Sequence, residues 1–148
     1  MSASSKTSAG LSRIGVAIPK DLLEQFDRSI SQKGYATRSE AFRDLIRDGL
    51  IREQAALPQQ EVVGTLTLVY DHHVRQLSDR LTAMQHQHHH RIVSTLHVHL
   101  DHHNCLEVLV LRGKSADVER IADMLIAAKG IRHGKLTVTV PHEEHHHS

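Results

Sequence analysis

Hydrophobic positions along this chain change period at definite places. Ile14, Val16 and Ile18 alternate with Arg13, Gly15 and Ala17, the period-two pattern of a short strand with one apolar face. Pro19 suits the first turn of a helix. Leu22, Leu23, Phe26 and Ile30 then recur at helical spacing, and Lys33-Gly34 closes that helix. Thr37-Arg38-Ser39-Glu40 reads as a capping box, with Thr37 as N-cap and Glu40 reaching back. Phe42, Leu45, Ile46 and Leu50 mark the buried face of the second helix. Residues 55–60, with Pro58 among them, break the pattern as a linker. Beyond it the periodicity predicts a strand over 62–70, a helix over 71–87 and a strand over 91–100. A strand over 105–111, a helix over 115–129 ended by Gly130, and a strand over 131–140 follow. The fold class is α+β: a β-α-α unit, then the β-α-β-β-α-β order of ferredoxin-like domains, which small ACT-type regulatory domains share. The expected organisation is an arm at 1–11, the β-α-α unit at 12–54, the linker at 55–60, the ferredoxin-like domain at 61–141 and a histidine-rich tail at 142–148.

The β-α-α unit is too small to bury a good core alone, and its lone strand has no partner in the segment. Pairing with the same strand of a second chain answers both needs. The result is an antiparallel two-stranded ribbon over four helices. This arrangement resembles the ribbon-helix-helix DNA-binding domain. The stretch Gly34-Tyr35-Ala36-Thr37-Arg38-Ser39-Glu40-Ala41-Phe42-Arg43-Asp44 is very similar to that family's inter-helix turn and second helix.

Composition narrows the classes that remain. There is no Trp, with two Tyr and two Phe, so the cores must be built from Leu, Ile and Val. Formal net charge is +1, so the whole chain is no obvious polyanion binder. The single Cys cannot form an internal disulfide. No signal-peptide pattern opens the chain and no apolar run is long enough to span a bilayer. The expectation is a soluble cytoplasmic protein. The outlier is histidine, with 15 residues, most of them clustered at 72–73, 86–90, 97–103 and 145–147.

His97 and His99 flank one apolar residue in a strand pattern, so both imidazoles project to one face. The polar stretch Asp101 to Asn104 turns the chain, and Cys105 opens the next apolar run. A hairpin can therefore bring the only thiol beside both imidazoles. Two nitrogens and one sulfur form most of a transition-metal site.

A ribbon-helix-helix unit followed by a domain carrying His-x-His-x5-Cys resembles the nickel-responsive transcriptional regulators of the NikR family. The stretches that carry the resemblance are Tyr70-Asp71-His72, Gln85-His86, Thr95-Leu96-His97-Val98-His99, Asn104-Cys105-Leu106-Glu107 and Gly130-Ile131-Arg132-His133-Gly134. It implies one Ni(II) per subunit, held by His97, His99 and Cys105 with His86 from a neighbouring protomer. The same resemblance implies that Glu40 and Asp44 hold a potassium ion between the domains. The other readings are the capping box for Glu40 and a solvated charge for Asp44. Three imidazoles and one thiolate suit Ni(II) or Cu(II) in a plane, or Zn(II) in a tetrahedron. A catalytic metal wants an open position and a nearby base, so a fourth protein ligand argues for a non-enzyme. His88 to His90 and His102-His103 read as exposed residues.

On the DNA side the resemblance implies that Arg13 reads a base edge and Arg43 contacts a phosphate. With Ile14, Val16 and Ile18 inward, Arg13, Gly15 and Ala17 face the major groove. Gly15 and Ala17 depart from the polar residues many members carry, and offer only shape or a methyl contact. Lys6, in the arm, is a candidate for backbone contacts. The expected protein is a nickel-dependent, sequence-specific regulator. It acts as a repressor of nickel uptake or related genes, and as a homotetramer (a dimer of dimers) on double-stranded operator DNA with two half-sites. A nickel or copper storage or delivery protein is the alternative. It leaves the ribbon unit unexplained. A metallohydrolase is a third, weaker choice.

Overall fold

The computed structural model describes residues 10–74 and 77–141. Lys6 and the tail at 142–148 lie outside the described residues. The chain separates into two compact units, one ending at Asp44 and one beginning at Leu45.

In the first unit, residues 10–19 carry no regular secondary structure. The alternating segment is present, but Ile14 is 81% and Val16 68% exposed. A strand exists only by pairing, and no described residue of this chain pairs with it. Helix α1 spans Lys20–Gln32. It closes at Gly34, whose φ of 83° suits a residue without Cβ. The Tyr35 N–H donates to the Ile30 carbonyl at 3.0 Å. Helix α2 spans Arg38–Ala55. Thr37 Oγ1 accepts from the Glu40 N–H at 3.2 Å, which is the N-cap half of the capping box. Phe26 and Phe42 stack with centroids 4.7 Å apart. The Arg38 guanidinium donates to both Asp27 carboxylate oxygens at 2.8 and 2.7 Å, and these bonds hold the Asp27 carboxyl below its ordinary range.

One expectation is corrected along α2. Leu45, Ile46 and Leu50 are 52%, 56% and 54% exposed rather than buried. Their apolar stripe has the right period, but the described residues leave it about half exposed.

The second unit contains β1 (Glu61–Asp71), α3 (Leu77–Gln87), β2 (Ile92–His99), β3 (Asn104–Lys114), α4 (Ser115–Ile126) and β4 (Ile131–Thr139). The sheet order is β2-β3-β1-β4, with every neighbouring pair antiparallel. Alternate residues share a face. Leu66, Leu68 and Tyr70 of β1 and Leu109 and Leu111 of β3 are buried with Leu77 and Leu81 of α3 and Val118, Ile121 and Leu125 of α4. Each such side chain contributes about 1.5–3 kcal/mol of burial. Gly64 and Gly134 admit close packing, since a Cβ would meet Leu136 at 2.9 Å and Ile126 at 2.5 Å respectively.

Three boundaries differ from the sequence reading. Helix α3 starts at Leu77, because Asp71 Oδ1 accepts from the His73 N–H at 2.9 Å and stabilises a turn. Strand β3 continues through the polar Arg112 and Lys114 because it pairs with β1 as far as Glu61. Helix α4 ends at Ile126, so Gly130 (φ 102°) serves the turn into β4 rather than the helix cap.

The segment read as a linker is held in place. The backbone N–H groups of Ser115 and Ala116 donate to the carbonyls of Gln60 and Pro58 at 2.8 and 3.1 Å. The Ser115 hydroxyl donates to the Ala55 carbonyl at 2.5 Å. These bonds satisfy amides at the start of α4, which no α4 carbonyl can reach. Among the described residues, no helix is long and apolar enough to cross a membrane.

Candidate metal centre

The β2–β3 register builds the centre. His99 pairs with Cys105, and Cys105 pairs in turn with Tyr70 on β1. One step along, His97 pairs with Glu107 and Glu107 with Leu68. Residues in such cross-strand rows share a face, so both histidines, the thiol and Glu107 lie together. The turn between them is tightened by Asp101. Its carboxylate accepts from the backbone N–H groups of His103 and Asn104 at 2.8 Å each and from the Asn104 side chain at 2.9 Å. The Asn104 side chain and then these N–H groups lower the Asp101 pKa to about 2.

Cys105 is fully buried, with Sγ 3.4 Å from His99 Nδ1. Burial, and then the charges of Asp71, Asp101 and Glu107, push its thiol up from the ordinary value. His72, His99 and Cys105 each offer a ligand atom, and these atoms lie within 4.8 Å of one another. His72 arrives because its N–H donates to the His103 carbonyl at 3.1 Å, folding the end of β1 over the hairpin turn. His97 stands outside this trio although its ring lies 5.0 Å from that of His99. Its Nδ1 is instead 3.3 Å from the Tyr70 hydroxyl.

That hydroxyl opens a chain of buried polar contacts. It donates to Glu107 Oε2 at 3.2 Å, and Glu107 Oε1 accepts from Gln85 Nε2 at 2.7 Å. Burial, reinforced by Glu107, raises the Tyr70 pKa well above the ordinary value, so the phenol keeps its proton. With the phenol proton directed to Glu107, His97 Nδ1–H is the donor to the Tyr70 oxygen. This assignment leaves Nε2 with the free lone pair a metal needs. The imidazoles of His72 and His99 beside the Cys105 thiol, with that of His97 next to them, suit a borderline or soft transition metal.

The structure thus gathers His99 and Cys105 as expected and sets His97 beside them. His86 lies exposed at the last turn of α3, outside the trio. His72 and the Tyr70–Glu107–Gln85 chain carry no role in the sequence reading. A usable signal was Glu107, a charge at an inward position of a strand otherwise facing the core with Cys105, Leu109 and Leu111. A second metal-capable group, Asp71, His72 and His73, adjoins the trio.

In the first unit Arg13, Gly15 and Ala17 are exposed, as are Glu40, Arg43 and Asp44. The Asp44 carboxylate accepts from the Tyr35 hydroxyl at 2.7 Å.

Comparison with known proteins agrees with both units. The family described as NikR C terminal nickel binding domain matches residues 63–139. The family described as ribbon-helix-helix protein, copG family, matches residues 12–53. A protein of Solibacter usitatus is 65% identical over 131 residues, covering 88% of this chain and 94% of its own length. One from Geobacter sulfurreducens is 59% identical over 134 residues, covering 90% and 96%. One from Nitratidesulfovibrio vulgaris is 54% identical over 127 residues, covering 86% and 91%. All three bear the name "Putative nickel-responsive regulator". A metal-capable hairpin, a ribbon-helix-helix unit and relatives matched over nearly their whole length lead to one assignment: the chain belongs to the NikR family of nickel-responsive regulators.

Proposed function

We propose that this protein is a nickel-dependent transcription regulator, binding operator DNA through its ribbon-helix-helix unit when the hairpin of the second unit holds nickel. The observation that carries this reading is the joining, in one chain, of a DNA-binding unit to a strand pair that aligns His99 with Cys105 and sets His97 beside them. His97, His99 and Cys105 are the proposed ligands from one protomer, one nickel per subunit, with His86 of a neighbouring protomer as the fourth. The exposed position of His86 supports a role across an interface.

A bound nickel ion supplies a tie between two protomers. The residues do the rest. Tyr70 fixes the His97 tautomer, Glu107 holds Tyr70, and the Asp101 turn fixes the approach of Cys105 to His99. The proposed assembly is a homotetramer, a dimer of dimers. Support comes from the open face of the sheet, where Leu96 (60% exposed) and Val98 (37%) lie beside Val108 and Leu106 of β3. Apolar faces of this kind mark interaction surfaces. In the first unit, Ile14 and Val16 are proposed to be covered by ribbon pairing, leaving Arg13, Gly15 and Ala17 toward the major groove and Arg43 toward a phosphate. A tie across protomers favours the arrangement in which both ribbons engage the two half-sites of one operator, and joining two contacts raises affinity through effective concentration. Glu40 and Asp44 are proposed to hold a potassium ion. The cell compartment is the cytoplasm, and the regulated genes are those of nickel uptake, under repression.

The test is retardation of promoter DNA by purified protein with and without Ni(II), Cu(II) and Zn(II). Retardation that depends on Ni(II) and disappears in Cys105→Ser supports the regulator. Tight nickel binding with no metal-dependent retardation favours the storage or delivery protein.

A further inference from the structure

Strand β4 carries one residue too many opposite β1. Val69 pairs with His133 and Tyr70 with Ile131, so Arg132 is the bulged residue with no partner of its own. A bulge re-aims the side chains of its strand. Here the Arg132 guanidinium reaches across the end of β1. It donates to Asp71 Oδ2 at 3.2 Å and to Asn104 Oδ1 at 2.6 Å. Because β1 lies between β4 and β3 in the sheet, one side chain spans three strands.

Each partner of Arg132 organises one segment of the centre. Asp71 Oδ1 accepts from the His73 N–H at 2.9 Å and so shapes the turn that carries His72. Asn104 donates its side-chain amide to Asp101 at 2.9 Å and so closes the turn between His99 and Cys105. We infer that Arg132 is a positioning residue for the metal centre, its two-pronged guanidinium setting the separation of the His72 turn from the His99–Cys105 hairpin. This role rests on the reading that the hairpin holds nickel. The Arg132 side chain is 52% and that of Asp71 19% exposed, so solvent screens the pair from the guanidinium side and its contribution to global stability is small. The effect of Arg132 is therefore local. It also requires the planar fork, because a lysine ammonium cannot reproduce two donors at fixed spacing.

The experiment compares wild type, Arg132→Gln and Arg132→Lys in the full-length protein. Amide hydrogen exchange is read on the metal-free form and nickel release by a chelator chase on the loaded form. Expected in both variants are faster exchange at the His72, His103 and Asn104 amides, an unchanged melting temperature, and nickel release faster by about 10–100-fold. Wild-type exchange or wild-type release in Arg132→Gln overturns the inference. So does full rescue by lysine, or a loss of protection spread across the whole sheet. Failure of the wild-type protein itself to hold nickel overturns the functional reading, and this role with it.

Discussion

Replacing Tyr70 by Phe removes one oxygen and leaves the ring, which is 1% exposed and packed in the core. Two contacts disappear with it: the donor to Glu107 Oε2 at 3.2 Å and the acceptor 3.3 Å from His97 Nδ1. Glu107 is 7% exposed and, among the described residues, keeps the Gln85 donor on its other oxygen. A buried carboxylate short of one donor costs about 1–3 kcal/mol of stability. The effect on nickel is separate. Without Tyr70, nothing in this chain of contacts selects the His97 tautomer that frees Nε2. Loss of such an orienting partner weakens metal binding by about 10–100-fold, equivalent to about 1.4–2.8 kcal/mol. Denaturant unfolding of the metal-free protein measures the first quantity, and competition against a chelator of known affinity measures the second. The reasoning fails if Tyr70→Phe lowers stability but binds nickel within twofold of wild type. The result would then mean that His97 is oriented by something other than the phenol.

Other outcomes follow from the same geometry. Nickel coordination needs the Cys105 thiolate and so displaces its proton. The thiol pKa is raised, so affinity climbs with pH by about tenfold per unit and does not level off near an ordinary thiol value of about 8.5; titrations at several pH values check the slope. Mixing His86→Ala with His97→Ala restores some tight sites after subunit exchange, as read by equilibrium dialysis. Confirmed exchange with no recovery removes His86 as a ligand in trans. Arg13→Ala weakens operator binding by about 1–3 kcal/mol at each half-site while leaving nickel affinity and salt-sensitive non-specific binding intact; parallel titrations on operator and random DNA decide this. Gly130→Ala destabilises the second unit, because a Cβ there would lie 2.8 Å from Leu77 at a φ of 102°; the melting temperature reports it.

Much of the second unit is legible in the sequence because each strand and helix holds its period for long enough to read. Strands β1, β2 and β4 fall within a residue or so of their expected limits. What the pattern misses is polar and local. The Asp71 turn delays α3 by a side-chain contact that no hydrophobic period records. His72 reaches the centre through a backbone bond to His103, a residue far along the chain. The first unit is legible in a different sense. Its helices, its Gly34 closure and its Thr37 cap are all local and all present. Its alternating segment at 13–18, like the stripe of Leu45, Ile46 and Leu50 beyond the unit's end at Asp44, is written for a surface that the described residues do not supply.

Strand β3 runs unbroken from Asn104 to Lys114, and α4 begins at the very next residue. At about 3.4 Å per residue this is a bar of roughly 35 Å, paired along its length with β1 and from Cys105 to Leu111 with β2 as well. The stretch paired on both edges neither stretches nor bends easily. Cys105 sits at one tip, and at the other Ser115 grips the last carbonyl of α2. A displacement of the Cys105 end along the strand axis would be shared with Ser115 and, through its hydroxyl, with the Ala55 carbonyl, as a push at one end of a rod is felt at the other.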